Sequence, residues 1–504
     1  MRVRTILMLA LIAAISVQAS STEDMFLTIK AGGPTPVQDI AVSSQGIIIA
    51  AGPRGEAAIN RSYIGLYSQN GSVWWASFQG SIKSIASQGG LVVASLSLTG
   101  GEAAVLIAHT SNGSAIIARL EALGEPLQGS IRGTTIAGSR IIAVGSVGLG
   151  GGPYPRTGLL AVLDSTGHIE RAYRLYGLDP AALAQCGSRA LIVGETLGGG
   201  IAIVETDGRS MFSPRIFRLT GNISLTVIGA HSNGDLAAVT AVAVAPGGRA
   251  EPVVVVIDCA THRTAAYVIT LPWGVAGLAG KPYVSRSGAI LVPINIVAPR
   301  TLRVKSILVE IGPSQGGDRP LLAMSSEEAG VYVTRAWAQD GRITVAGGLI
   351  LPSGEQGFLA VVGVLSGTEQ WACSNITITI TKAPPISLNM SKIPLAQSSQ
   401  TQIIIQNASI ISQVLSPEGQ APTLASASPT GIPGEATLST PAATAATSQG
   451  RASGGSSGLP APAPGSPWGE PGRRMVYVML AGILLLFIGT ALLLLPLTRE
   501  ERAK

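Results

Sequence analysis

Arg54, Arg156, Arg249, Arg300 and Arg303 are the side chains of this sequence best suited to recognition chemistry. A guanidinium is a planar fork of donors that grips a carboxylate through two bonds at once, and it stays charged at any working pH. Each lies in a loop between apolar runs, with Arg61 and Lys305 in the same set of loops. The acidic residues of those loops are fewer, namely Glu56, Glu102, Glu195, Glu251 and Glu355. The set predicts a mildly basic surface for an acidic glycan or a partner protein's carboxylates. Scattered solubilising charge is the competing reading.

The residue types used in catalysis and metal binding give less. Cys186, Cys259 and Cys373 form no Cys-x-x-Cys pair, so no zinc site is predicted. At most one disulfide can form, and buried thiols are the expected state. His109, His168, His231 and His262 are isolated, mostly in turns, and read as surface residues rather than metal ligands. The Gly-x-Ser-x-Gly match at Gly454–Gly458 falls in a Gly/Ser-rich segment without a strand-turn-helix around it. The Gly148–Gly152 and Gly198–Gly200 runs precede no helix and read as loops rather than phosphate cradles. Glu327 and Glu328 read as a solvated pair. No catalytic residue, metal or cofactor is expected.

The elements that carry the arginine loops recur. An apolar strand begins after a polar Gly turn at Ile47, Leu91, Ile141, Leu191, Leu236, Ile290 and Ile343, with spacings of 44, 50, 50, 45, 54 and 53 residues. Asn-Gly and Asp-Gly turns tolerate the positive φ of a tight hairpin, so Asn70-Gly71, Asn112-Gly113, Asp207-Gly208 and Asp340-Gly341 specify antiparallel pairing. No amphipathic helical pattern competes. The period suits four-stranded antiparallel units, and a lone unit cannot bury both its faces, whereas a closed ring of them can. The fold expected is all-β, a seven-bladed β-propeller over 26–383, with an open solenoid or paired sandwiches as alternatives. In such blades the connections alternate between two ends, so the arginine loops would share one rim.

Ile49-Ala50-Ala51-Gly52, Tyr63 to Tyr67, Asn70-Gly71 and Trp74-Trp75 in the first copy, with Val345-Ala346-Gly347-Gly348, Phe358 to Val362 and Trp371 in the last, carry a resemblance. The chain resembles the β-propeller repeats of prokaryotic, above all archaeal, cell-surface proteins with a C-terminal membrane anchor. The likeness covers 38–383 and implies fold rather than activity.

Both ends bear on location. Residues 1–19 have a basic start, an apolar core and small residues at Val17 and Ala19, the pattern of an export signal. Met475–Leu497 is free of charge; its 23 residues reach about 34 Å, enough for a hydrocarbon core of about 30 Å. This predicts a single transmembrane helix with the repeats outside and a 498–504 tail inside. Seven of the nine asparagines head Asn-X-Ser/Thr triplets: Asn60, Asn70, Asn112, Asn222, Asn375, Asn389 and Asn407. Chance would give roughly one or two, so a glycosylated exterior is predicted. Residues 384–415 read as a β-rich extension that seals the last blade or forms a cap, and Phe26–Ile29 as a further strand available for ring closure. Residues 416–474, rich in Pro, Ala, Ser and Thr, read as a disordered stalk.

Charged residues are 12%, aromatics 4% and the formal charge +6, too sparse a basic set for nucleic acid. The function expected is a membrane-anchored extracellular binding or scaffolding module. The alternative is a tethered enzyme, such as a polysaccharide-acting hydrolase or a quinone-dependent dehydrogenase. Carboxylates or histidine converging on the central channel would mark the enzyme, and a broad rim patch the binder.

Overall fold

A computed structural model describes residues 24–430 apart from 31–32, 54–60, 69–70, 150–156, 197–198, 213, 220–222, 245–249, 272–275, 298–303, 313–318, 364–366, 374–375, 385, 387–388, 398–402, 418–421 and 427. The segments read as export signal and transmembrane helix, residues 431–474 of the span read as stalk, and Asn60, Asn70, Asn222 and Asn375 lie outside that set. No helix occurs among the described residues, so none there is long and apolar enough to cross a membrane.

After β1 (Met25–Lys30) the chain folds as successive antiparallel runs. The first is β2 (Val37–Ser43), β3 (Gly46–Ala51), β4 (Arg61–Ser68) and β5 (Gly71–Gln88). The long β5 serves two runs, its first half pairing with β4 and its second with β6 (Leu91–Leu98). β7 (Ala103–His109) and β8 (Ala115–Ala122) complete the second run. Next come β9 (Glu125–Ala137), β10 (Arg140–Leu149), β11 (Thr157–Leu163) and β12 (Ile169–Tyr176), then β13 (Leu178–Cys186), β14 (Arg189–Thr196), β15 (Ile201–Thr206) and β16 (Arg215–Leu219). β17 (Ser224–Ser232), β18 (Leu236–Val244), β19 (Ala250–Asp258) and β20 (Thr264–Thr270) repeat the pattern. In the following run the inner strand is broken into β21 (Ala276–Ala279) and β22 (Tyr283–Val284), both on β23 (Ile290–Val297), which pairs with β24 (Val304–Ile311) and that with β25 (Arg319–Ser326).

The last run is β26 (Gly330–Gln339), β27 (Arg342–Leu351) and β28 (Gly354–Gly363), and its fourth strand is β1. Phe26 is buried there, stacked on Phe358 at 5.5 Å and facing Trp371 at 6.4 Å between ring centres. Truncating a ring so placed costs about 3–5 kcal/mol, so β1 is firmly held. The strand expected in its place, β29 (Gly367–Cys373), pairs instead with β30 (Ile376–Lys382).

Strands such as β6, β11 and β15 are buried on both faces, as Val/Ile/Leu/Ala runs must be when each sheet is covered by its neighbours. An apolar cluster lies between each run and the next. Ile142, Leu160, Ile192 and Val204 join the third run to the fourth, while Ile29, Ile40, Ile49 and Leu359 join the last to the first. The inner strands touch in chain order, and β2 touches both β5 and β26, so the ring closes. This is a β-propeller arrangement.

The remaining strands wrap the outside. β30 adds to β25, β31 (Asn389–Ile393) to β20, β32 (Leu395–Gln397) to β16, β33 (Ile404–Asn407) to β12 and β34 (Ile411–Leu415) to β8. β35 (Thr423–Ser426) then adds to β1, and β36 (Ser428–Thr430) to β29. The extension is thus an outer strap laid on in the reverse order of the runs. Its last two strands fall within the span read as stalk. The outer half of β5, Gly71–Gln79, receives no strap strand among the described residues. The segment between β34 and β35 holds Pro417 and Pro422, which lack the N–H a ladder needs.

Candidate functional site

The inner strands share one irregularity. Residues Gln38, Lys83, Arg132, Ala181, Ile228 and Thr334 are each skipped in the ladder to the next strand, and Lys281 falls in the break between β21 and β22. A β-bulge re-aims the side chains beside it, and here the bulges recur at the same level of every wall. They surround a channel of about 950 Å³.

Asp39, fully buried just after the first bulge, is its centre. One carboxylate oxygen accepts from Arg335 Nη1 at 2.8 Å and from the Ile40 N–H at 2.9 Å; the other accepts from Lys281 Nζ at 2.9 Å and the Ile85 N–H at 3.1 Å. Burial alone would raise its pKa, but Arg335 and Lys281 outweigh it and hold the carboxyl below its ordinary range. Lys281 Nζ also donates to the carbonyls of Gln38, at 3.2 Å, and Lys83. Three acceptors use all three N–H donors of an ammonium, so the geometry fixes Lys281 as charged even though burial lowers its pKa. The cluster ties β2, β5, the β21–β22 break and β26 together across the seam where the ring closes.

Beside it, His231, Tyr283 and Trp337 form an aromatic group, with ring centres 4.9 Å apart for His231–Tyr283, 5.3 Å for His231–Trp337 and 4.3 Å for Tyr283–Trp337. His231 Nδ1 accepts from the Val284 N–H at 3.0 Å, which places the imidazole proton on Nε2. Burial, then the nearby Arg335 charge, push its pKa well below the usual histidine value, against the pull of Asp39. Burial raises Tyr283, whose hydroxyl donates to the Ala338 carbonyl at 3.0 Å. Farther round the wall Arg132 pairs with Asp179 at 2.9 Å, and Glu195 accepts from the Val227 N–H at 3.0 Å. Burial raises Glu195, with Asp179 adding to the effect.

The five arginines singled out from sequence, Arg54, Arg156, Arg249, Arg300 and Arg303, lie outside the described residues. Of the glycosylation sequons, Asn112 is exposed in a turn, its Oδ1 accepting from the Ser114 N–H at 3.0 Å, and Asn407 is exposed on β33; Asn389 lies in β31. Two expectations are corrected. Cys186 and Cys259 are joined in a disulfide, Cα–Cα 5.3 Å, rather than held as thiols. The Gly234-Asp235 turn brings them together, since Cys186 bridges Gly234 and the Cys259 N–H donates to the Asp235 carbonyl at 2.8 Å. His231 is a channel residue rather than a surface one. Its signal was faint: a polar ring in an otherwise apolar inner strand, three residues before the glycine of a hairpin turn.

No family model and no curated protein matches the chain. Among solved structures it is similar to the β-propeller domain of the Trilobed protease from Pyrococcus furiosus, at 8% identity over 67% of this chain and 97% of that one, TM-score 0.37. It is also similar to the C-terminal WD40 domain of Sif2, at 11% identity over 67% and 99%, TM-score 0.38. A third is a PL25 ulvan lyase with bound saccharide, at 10% identity over 63% and 93%, TM-score 0.36. At these values the arrangement is read from the strand pairing itself.

Proposed function

We propose that this chain is a seven-bladed propeller, exported and N-glycosylated, held outside a membrane by the 475–497 helix on a stalk that starts after Thr430, and acting there as a binding module. The Cys186–Cys259 disulfide supports an oxidising exterior, where such bonds persist. The observation that carries the binding role is the channel wall: five cationic side chains, Lys83, Arg132, Lys281, Arg286 and Arg335, against three carboxylates, Asp39, Glu195 and the Asp179 paired with Arg132. Such a wall attracts acidic partners. Arg54, Arg156, Arg249, Arg300 and Arg303 would extend the same sign of charge onto the rim.

A second reading, a tethered polysaccharide-acting hydrolase, is favoured by the carboxylates Asp39 and Glu195 and by His231, which line the channel. Asp179 and Glu195 also face each other across the β13–β14 ladder, and Glu195, raised by burial, suits the acid role. The test is retention of the detergent-solubilised full chain on an array of acidic and neutral glycans, with each glycan recovered and sized. Retention on acidic glycans of unchanged length is expected. Equal retention on neutral ones would overturn the proposal, and shortened glycans would transfer it to the hydrolase.

A further inference from the structure

The charges at the centre of the channel do not balance. Asp39 supplies one negative charge to two cations, because Lys281 is fixed as an ammonium by its three acceptors and Arg335 is always charged. His231 adds none, since its Nδ1 accepts a hydrogen bond. One positive charge is therefore left over at side chains that are scarcely exposed, 7% for Arg335 and 16% for Lys281. The groups around it do not cancel it. Arg132 is matched by Asp179, while Arg286 adds to the excess and Glu195 offsets only part of it.

A second observation points the same way. Arg335 gives Nη1 to Asp39, but its Nε–H is buried without an acceptor among the described residues. Buried donors are ordinarily satisfied, and buried charges are ordinarily paired. An oxyanion in the channel would supply the missing negative charge, which a water molecule would not.

We propose that the channel centre binds a single carboxylate group, presented by a small molecule or by an acidic sugar, through Arg335 with Lys281 behind it. A carboxylate engages a guanidinium through charge-assisted N–H···O bonds, and Asp39 takes only Nη1 of Arg335. Tyr283 and Trp337 are among the lining residues, and the channel volume falls within the range of small-molecule sites. The site deepens the binding reading given above, and rests on the channel being the recognition surface but not on the chain's place in the cell.

The experiment is calorimetric titration of the detergent-solubilised full chain with acetate, glucuronate and glucose at low ionic strength. Saturable binding of both anions and none of glucose is expected, with glucuronate tighter if an acidic sugar is the source and no tighter if a free carboxylate is. Arg335→Gln should weaken anion binding at least tenfold while leaving Asp39 paired with Lys281. Arg335→Lys, which keeps the charge but loses the fork, should weaken it less. Absence of saturable anion binding by the parent chain overturns the site, as does unchanged affinity in a folded Arg335→Gln. Retention on acidic glycans without acetate or glucuronate binding would place recognition on the rim and leave the broader reading standing.

Discussion

The inner wall and the outer strap are made by the same antiparallel ladder, yet they hold their side chains in opposite ways. On the wall, Asp39 is fully buried and takes four hydrogen bonds, and Asn295 takes the Val333 N–H at 2.8 Å while giving a proton to the Val333 carbonyl at 3.0 Å. On the strap, Ile411 and Val414 stand 58% and 53% exposed. At β34 the ladder seats a strand with two apolar side chains largely exposed, whereas at Asp39 the side chain itself makes the contacts. The wall adds a buried ionic cluster to its ladder, while the strap adds scattered apolar anchors such as Ile380, Ile403 and Ile410.

Three substitutions test that contrast. Asp39→Ala strands two buried cations and should cost about 3–5 kcal/mol, read as a shift in denaturant midpoint; a loss below about 1 kcal/mol would mean that the cluster is solvated and the wall is no different from the strap. The pH dependence comes next. His231 has a folded pKa well below its ordinary value, so between the two values the unfolded chain binds the proton and the folded one does not. Stability then falls as pH drops below about 6.5, by up to about 1.4 kcal/mol per pH unit. His231→Gln should flatten that slope between pH 6.5 and 5. Asp39, lowered in the folded state, loses its contribution only in a more acidic window, below about pH 3.9, so the two are separable. The smallest effect is expected for Val414→Ser, within about 0.5 kcal/mol by the same midpoint measurement; a cost comparable to Asp39→Ala would erase the contrast.

The sequence makes the strand rhythm plain because turn chemistry is local. Ile47, Leu91, Ile141, Leu191, Leu236, Ile290 and Ile343 fall within two residues of the starts of β3, β6, β10, β14, β18, β23 and β27. Phe26–Ile29 does close the ring, on β28, one of the options its apolar run allowed. The site was not legible for the opposite reason. Lys281 and Arg335 are 242 and 296 residues from Asp39 along the chain, and each of the three is set among mostly apolar neighbours in sequence. Only closure of the ring makes neighbours of them. The Cys186–Cys259 pairing was hidden similarly, since it depends on a turn contributed by a third segment. The β-rich character of 384–415 was evident, but a lone edge strand carries no address for its partner.

The winding of the strap dictates a timetable for assembly. Pairings such as Met324–Ile380, Val268–Ser391, Arg218–Ala396, Arg174–Gln406 and Arg119–Gln413 span 56, 123, 178, 232 and 294 residues, each step reaching further back toward segments made earlier. Loop-closure entropy grows so slowly that the longest of these costs only about 1.5 kcal/mol more than the shortest. The C-terminal strands can therefore lock down one after another like a ratcheted band, but only onto a body whose outer edges already exist when the ribosome delivers them.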